Sequence, residues 1–153
     1  MIEIRHVENR RMLGEFIMLP WTAGIYKDDP AWVPPLIRDQ RRLLDRKKGY
    51  FFEIGEAELF LAYEEGTPVG RISAHVNHLY EERYDRDTGF FGFFESVNDG
   101  EVARSLFDAA ASWLRRKGKR IMNGPQSFSI YDSVGFEVEG VEKMPTVGLF
   151  HFA

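Results

Sequence analysis

Few residues in this sequence could do chemistry, and their types exclude several reactions. The chain has no cysteine, which rules out disulfides, thiol nucleophiles and thiolate metal sites and suits a reducing compartment. His75 and His78 lie three apart at what reads as a strand end, where extended backbone points them to opposite faces, so no metal site is expected. Ser127 and Ser129 lack the Gly-x-Ser-x-Gly setting of a hydrolase nucleophile. Two features remain. Glu95 closes the aromatic run Gly89-Phe90-Phe91-Gly92-Phe93-Phe94-Glu95-Ser96, where its plain role is to face water or pair with a basic neighbour. Arg71, Ser73, His75 and Asn77 alternate with Ile72, Ala74 and Val76, so one strand face is polar and offers a site wall.

The elements that must position these residues follow from periodicity. Ile2, Ile4 and His6 alternate with Glu3 and Arg5, a short first strand. From Asn9, the spacing of Leu13, Phe16 and Ile17 is helical, and Pro20 should end or bend that helix. Tyr26 to Pro35, with three prolines and Trp32, reads as an ordered loop anchored by aromatics. Leu36 to Lys48 reads as a second helix stopped by Gly49. Its basic cluster Arg41, Arg42, Arg46, Lys47 and Lys48 suggests an anion site, with a solvated helix end as the plain alternative.

Glu58 to Tyr63 and Val69 to Asn77 form a hairpin around Glu64-Glu65-Gly66-Thr67-Pro68. A polar connection, Glu81 to Thr88, leads to the Phe-rich strand, in which Gly92 marks a bulge or a close backbone approach. Glu101 to Lys117 carries Val102, Leu106, Ala109, Ala110, Trp113 and Leu114 at helical spacing, and Gly118 follows. Arg120-Ile121-Met122 suggests one more strand, and short apolar runs broken by Gly135, Gly140, Pro145 and Gly148 complete the chain.

At 153 residues the length fits a single domain, 1–153. A net charge of -4, with acids interleaved among the bases, argues against a nucleic-acid partner. No run approaches the ~18 apolar residues of a membrane span, and the first residues lack a signal peptide's apolar stretch; the expectation is no membrane partner and a cytoplasmic location.

The order strand, two helices, three-stranded meander, long helix and strand resembles the GNAT acyltransferase superfamily over most of the chain. Tyr131-Asp132-Ser133-Val134-Gly135-Phe136 is similar to a Tyr-x-x-x-Gly-Phe phrase that many of those enzymes carry. Asp29 to Pro35, Val69 to Ile72, Gly89 to Glu95 and Gly124-Pro125 resemble segments of uncharacterised bacterial GNAT-like proteins, which are longer. The chain would then correspond to their first half, with Tyr131 in a loop. The resemblance implies an α/β (α+β) fold, a mixed, mainly antiparallel sheet flanked by helices, and acyl transfer from acetyl-CoA or another acyl-CoA to an amine. A homodimer is compatible with it.

Such enzymes seat the cofactor where the central strand splays from its neighbour and place the pyrophosphate at the next helix N-terminus. That assigns Phe93, Phe94, Glu95, Ser96, Asn98, Gly100 and Ala103 to acyl-CoA, Glu95 to the general base and Tyr131 to the acid. The phosphate-turn phrase, Gln/Arg-x-x-Gly-x-Gly/Ala, falls on Asn98 to Ala103, where only Ala103 fits. Asp99 and Glu101 put two acids beside the pyrophosphate, and Asn98 with Glu101 reads instead as a near-capping-box. The second reading is therefore a catalytically inactive GNAT-shaped ligand-binding or assembly domain.

Overall fold

The computed structural model describes residues 1–136; the runs around Gly140, Pro145 and Gly148 lie outside them. The elements are β1 (Ile2–His6), α1 (Arg10–Thr22), α2 (Ile37–Leu43), α3 (Phe51–Ile54), β2 (Gly55–Glu64), β3 (Thr67–Asn77), α4 (His78–Arg83), β4 (Thr88–Ser96), α5 (Gly100–Arg116) and β5 (Ile121–Asn123). The five strands form one sheet in chain order. The first four pair antiparallel, and α5 crosses over so that β5 lies parallel to β4.

Both faces of this sheet are covered. On one face Phe60, Ala62, Ile72, Ala74, Val76 and Phe91 pack beneath Val102, Leu106, Ala110, Trp113 and Leu114 of α5. On the other, Leu59, Leu61, Tyr63 and Phe93 pack against Met12, Phe16, Ile17 and Leu19 of α1, with Leu44, Phe51 and Phe128. Strand alternation sorts β2 between the two cores, as a period of two requires. The hairpin turns at Glu65 and Gly66, both at positive φ (48° and 81°), the pattern of a two-residue turn whose twist matches its strands.

The expected helix over Leu36 to Lys48 is shorter. After Leu43 the carboxylate of Asp45 accepts from Lys47 N (2.8 Å) and its carbonyl from Gly49 N (2.7 Å), so a local turn outcompetes a further helical turn. The polar connection after β3 contains α4, whose N-cap is Asn77, accepting from Tyr80 N at 3.1 Å. His78 therefore starts a helix rather than ending a strand.

Gly92 is a close backbone approach. A Cβ there would clash with Gln126 O and lie 2.8 Å from Ser127 Cα. Gly92→Ala is expected to lower stability by about 1–3 kcal/mol, the usual range for overpacking, read as a shift in the urea midpoint at unchanged slope.

Candidate functional site

Helix α1 creates the first condition for the site. Pro20, in its last turn, has no N–H, so the carbonyl of Phe16 lacks its helical donor. Arg71 supplies one from β3: Nη1 donates to Phe16 O at 2.7 Å, and the guanidinium lies 5.1 Å from the Phe16 ring centroid. Its other arm, Nη2, reaches Glu95 Oε1 at 3.3 Å. The side chains of Arg71 and Glu95 are 5% and 13% exposed, so the pair is largely removed from water.

Glu95 reaches Arg71 because β4 is bulged. Arg71 pairs with Glu95 and Ser73 with Gly92, so β4 carries one residue more than β3 across that interval. Phe93 sits in the extra position at φ 49°, its N–H donating to Ser127 Oγ at 3.2 Å. Without the bulge, Phe91, Phe93 and Glu95 would share a face. With it, Phe91 packs under α5, whereas Phe93 and Glu95 turn towards α1.

Past the bulge, β4 has no outer neighbour among the described residues. β5 pairs only with Thr88 to Phe90, and Gln126 N still donates to Phe91 O at 2.7 Å. Among the described residues no backbone bond joins Phe94, Glu95 or Ser96 to the chain beyond β5. A cleft of about 460 Å³ opens at this end, between Ala23–Ile25 and Ser96–Asp99. Tyr26, the next residue after that wall, is near enough to the Glu95 carboxylate for each to influence the other's protonation, and Glu95 Oε2 has no hydrogen-bond partner among the described residues. Tyr26 stacks on Trp32 at 4.7 Å, and Trp21 meets Trp32 edge-on at 5.3 Å, which gives the aromatic anchoring expected of this loop.

Burial sets the protonation of these groups. It raises Glu95 above the ordinary carboxylate range, with Arg71 opposing, and raises the Tyr26 phenol, with the Glu95 charge acting the same way. Burial alone pushes His75 down to about 3. His75 is fully enclosed by Phe51, Phe90 and Phe128, at centroid distances of 5.3, 5.7 and 5.2 Å.

The polar face of β3 is thus not a solvent-facing wall. Arg71, Ser73 and His75 are at most 4% exposed, because α1, Phe51 and Phe128 cover them. The cap of α5 also differs from the expected one. Asp99, not Asn98, is the N-cap: its backbone is extended (φ -138°) and its carboxylate accepts from Glu101 N at 2.7 Å. Asn98 is exposed in the cleft wall, and Gly100 and Ala103 lie in the first turn of α5. Phe94 stacks on Phe107 at 4.7 Å, and Ser96 lines the cleft. Tyr131 stands 79% exposed on a turn where its N–H donates to Ser129 Oγ, and its side chain makes no hydrogen bond among the described residues. Among the described residues no cluster of three metal-ligating side chains occurs. The sequence reading missed Tyr26 as a neighbour of Glu95; its one signal was a tyrosine in a proline-bounded loop of fixed shape.

A meander of four antiparallel strands, one parallel β4–β5 pair, a bulge in β4 and a cleft at their parting define the architecture. No family model matches the chain. Its fold is similar to a tandem GNAT protein from the clavulanic acid biosynthesis pathway, at TM-score 0.57 and 13% identity over 78% of this chain and 34% of that one. The chain has the GNAT fold. A predicted acetyltransferase of Clostridium acetobutylicum solved with acetyl-CoA shares this fold at TM-score 0.54 and 11% identity, over 80% of this chain and 79% of that one. In sequence, this GNAT-fold chain is 36% identical over 149 residues to protein YghO of Escherichia coli, covering 97% of this chain and 37% of that protein. It is 38% identical over 140 residues to the bacterial ceramide synthase of Caulobacter vibrioides, covering 91% and 36%. The chain therefore spans little more than a third of the length of these curated relatives.

Two stability effects follow from the buried polar groups. Arg71→Ala strands the Glu95 carboxylate and the Phe16 carbonyl and is expected to cost about 3–5 kcal/mol, whereas Arg71→Met with Glu95→Gln should cost less than the sum of the single changes; chemical denaturation of the four-protein cycle measures this. Because the folded-state pKa of His75 is depressed to about 3, the unfolded chain binds the proton first. Stability then falls as pH drops from about 6.5 towards 3, with a slope near 1.4 kcal/mol per pH unit in mid-window. His75→Phe should flatten that slope in pH-dependent denaturation.

Proposed function

We propose that this chain carries acyl-CoA-dependent N-acyl transfer, with Glu95 as the base. The carrying observation is the buried Glu95 carboxylate at the parting of β4 and β5, facing Arg71 and Tyr26 beside the cleft. An ammonium substrate must lose a proton before its nitrogen attacks a thioester carbonyl, and Glu95 takes it, with Arg71 as the positioning residue. The amine nitrogen bonds to the acyl carbon and releases its surplus second proton to water, the carbon–sulfur bond breaks, and the departing thiolate receives a proton from the Tyr26 phenol. Tyr26 regains its proton from Glu95. In this proposal Tyr26 has the acid role that the resemblance gives to Tyr131. Phe94 and Ser96 offer the unpaired strand edge to the pantetheine arm, beside Phe93, whose N–H is held by Ser127, and Asn98, Gly100 and Ala103 line the turn nearest the pyrophosphate.

Ceramides are amides of long-chain amino alcohols, so the name of the Caulobacter relative makes a long-chain amine the acceptor to try first. The whole protein's substrate is part of the proposal. One observation favours the non-catalytic reading: the Asp99 carboxylate already occupies Glu101 N–H and adds negative charge where a pyrophosphate would approach.

Titration calorimetry with acetyl-CoA and a long-chain acyl-CoA separates the readings; no heat up to millimolar concentration sinks both the transfer and the cofactor assignment. Where binding is seen, Glu95→Gln should leave it within a few-fold while lowering turnover by about 10²–10⁴. Since Glu95 works unprotonated and its pKa is raised, turnover should climb with pH through an inflection above the usual carboxylate range. An unchanged rate in Glu95→Gln rules out the base.

A further inference from the structure

The connection that carries Tyr26 continues into a surface of unusual composition. Val33, Leu36 and Ile37 are 56%, 71% and 37% exposed, within five residues that also hold Pro34 and Pro35. No other element covers them among the described residues. Immediately after them, Arg38, Arg41, Arg42, Arg46, Lys47 and Lys48 are exposed, against the acids Asp39 and Asp45. Residues 38–48 therefore carry +4, in a chain whose net charge is -4, so the rest carries -8. Apart from Arg46, which pairs with Glu58 at 2.8 Å, none of these six cations forms an ion pair among the described residues.

Each half of this surface alone is ordinary: scattered exposed apolar residues need no explanation, and basic residues near a helix end suit its dipole. Their adjacency is what calls for a partner. Apolar side chains that enter the acyl boundary, flanked by unpaired cations that meet anionic headgroups, are the two components of interfacial membrane binding. Polynucleotide needs only the cations and leaves Val33, Leu36 and Ile37 in water. Leu44, beneath this segment, is buried in the α1-side core, so the patch is held on a rigid base.

We propose that residues Val33 to Lys48 form a docking surface for an anionic lipid bilayer. The expectation of no membrane partner came from the lack of a spanning run, and no helix among the described residues is long and apolar enough to cross a membrane. Docking on the surface requires no such helix. This inference stands on the patch alone and survives failure of the acyl-transfer reading.

Sedimentation of the whole chain with vesicles tests it. Binding is expected to phosphatidylcholine vesicles containing phosphatidylglycerol at roughly a third, and to fall at least tenfold on pure phosphatidylcholine or when salt is raised from about 0.1 to 0.5 M. Arg41→Glu with Arg42→Glu, and separately Leu36→Asp, should each weaken binding at least tenfold at unchanged melting temperature and unchanged acyl-CoA titration. Duplex DNA is the rival polyanion. The proposal is overturned if neither vesicle is bound, or if Leu36→Asp binds anionic vesicles as the parent does. It is equally overturned if DNA competes the chain off the vesicles at equal charge concentration.

Discussion

The buried guanidinium of Arg71 is the interaction on which the rest of this structure depends. A cation that is 5% exposed on its side chain persists only where its hydrogen bonds and a counter-charge offset the lost hydration. Two segments far apart in sequence meet that demand: Phe16 of α1 gives a carbonyl and a ring face, and Glu95 of β4 gives a carboxylate, whose neighbourhood includes the Tyr26 phenol. Pro20 is part of the arrangement, since it removes the amide that would otherwise occupy Phe16 O. A proline that reads in the sequence as a helix breaker thus frees an acceptor for the cation at the site.

Much of this architecture was legible beforehand. Alternation in Ile2–His6 and in the second hairpin strand, the aromatic content of the Phe-rich run, and the spacing from Val102 to Leu114 encode the sheet and α5, because burial of one face imposes a period and burial of both selects large apolar residues. Gly92 was readable as a close approach for the same kind of reason: a missing side chain records a neighbour. The faults lie where side chains bond to nearby backbone. Asp45 ended α2 early, and Asp99 took the cap expected of Asn98, both through short-range hydrogen bonds that hydropathy does not register.

The site was half legible. Glu95 could be singled out as a strand-end carboxylate, but its partners could not: Gly92 marks a bulge or a close approach in the sequence, yet the turn that the bulge gives Glu95 towards Arg71 depends on the register with β3. Tyr131 matched a phrase and stands 79% exposed, while Tyr26 lies near the carboxylate on a loop whose path depends on tertiary packing against Trp21 and Trp32. Sequence spacing determines which residues share an element; it says much less about which elements converge.

A last asymmetry separates the two faces of the sheet. Beneath α5 the core is apolar, and among the described residues no buried side-chain polar atom there lacks a partner. Beneath α1, Arg71 Nε, Ser73 Oγ, both His75 nitrogens and Glu95 Oε2 are buried without partners among the described residues, all on β3 or the strand beside it. Buried polar atoms are nearly always satisfied, and each exception costs about 1–3 kcal/mol. A fold selected for stability alone would replace Ser73 and His75 with apolar residues of similar size, as the α5 face does with Ile72, Ala74 and Val76. The α1 face instead keeps a polar column leading from the enclosed imidazole to the carboxylate by the cleft. The stability of the α5 face, the hairpin and β1 is what lets the α1 face carry that cost.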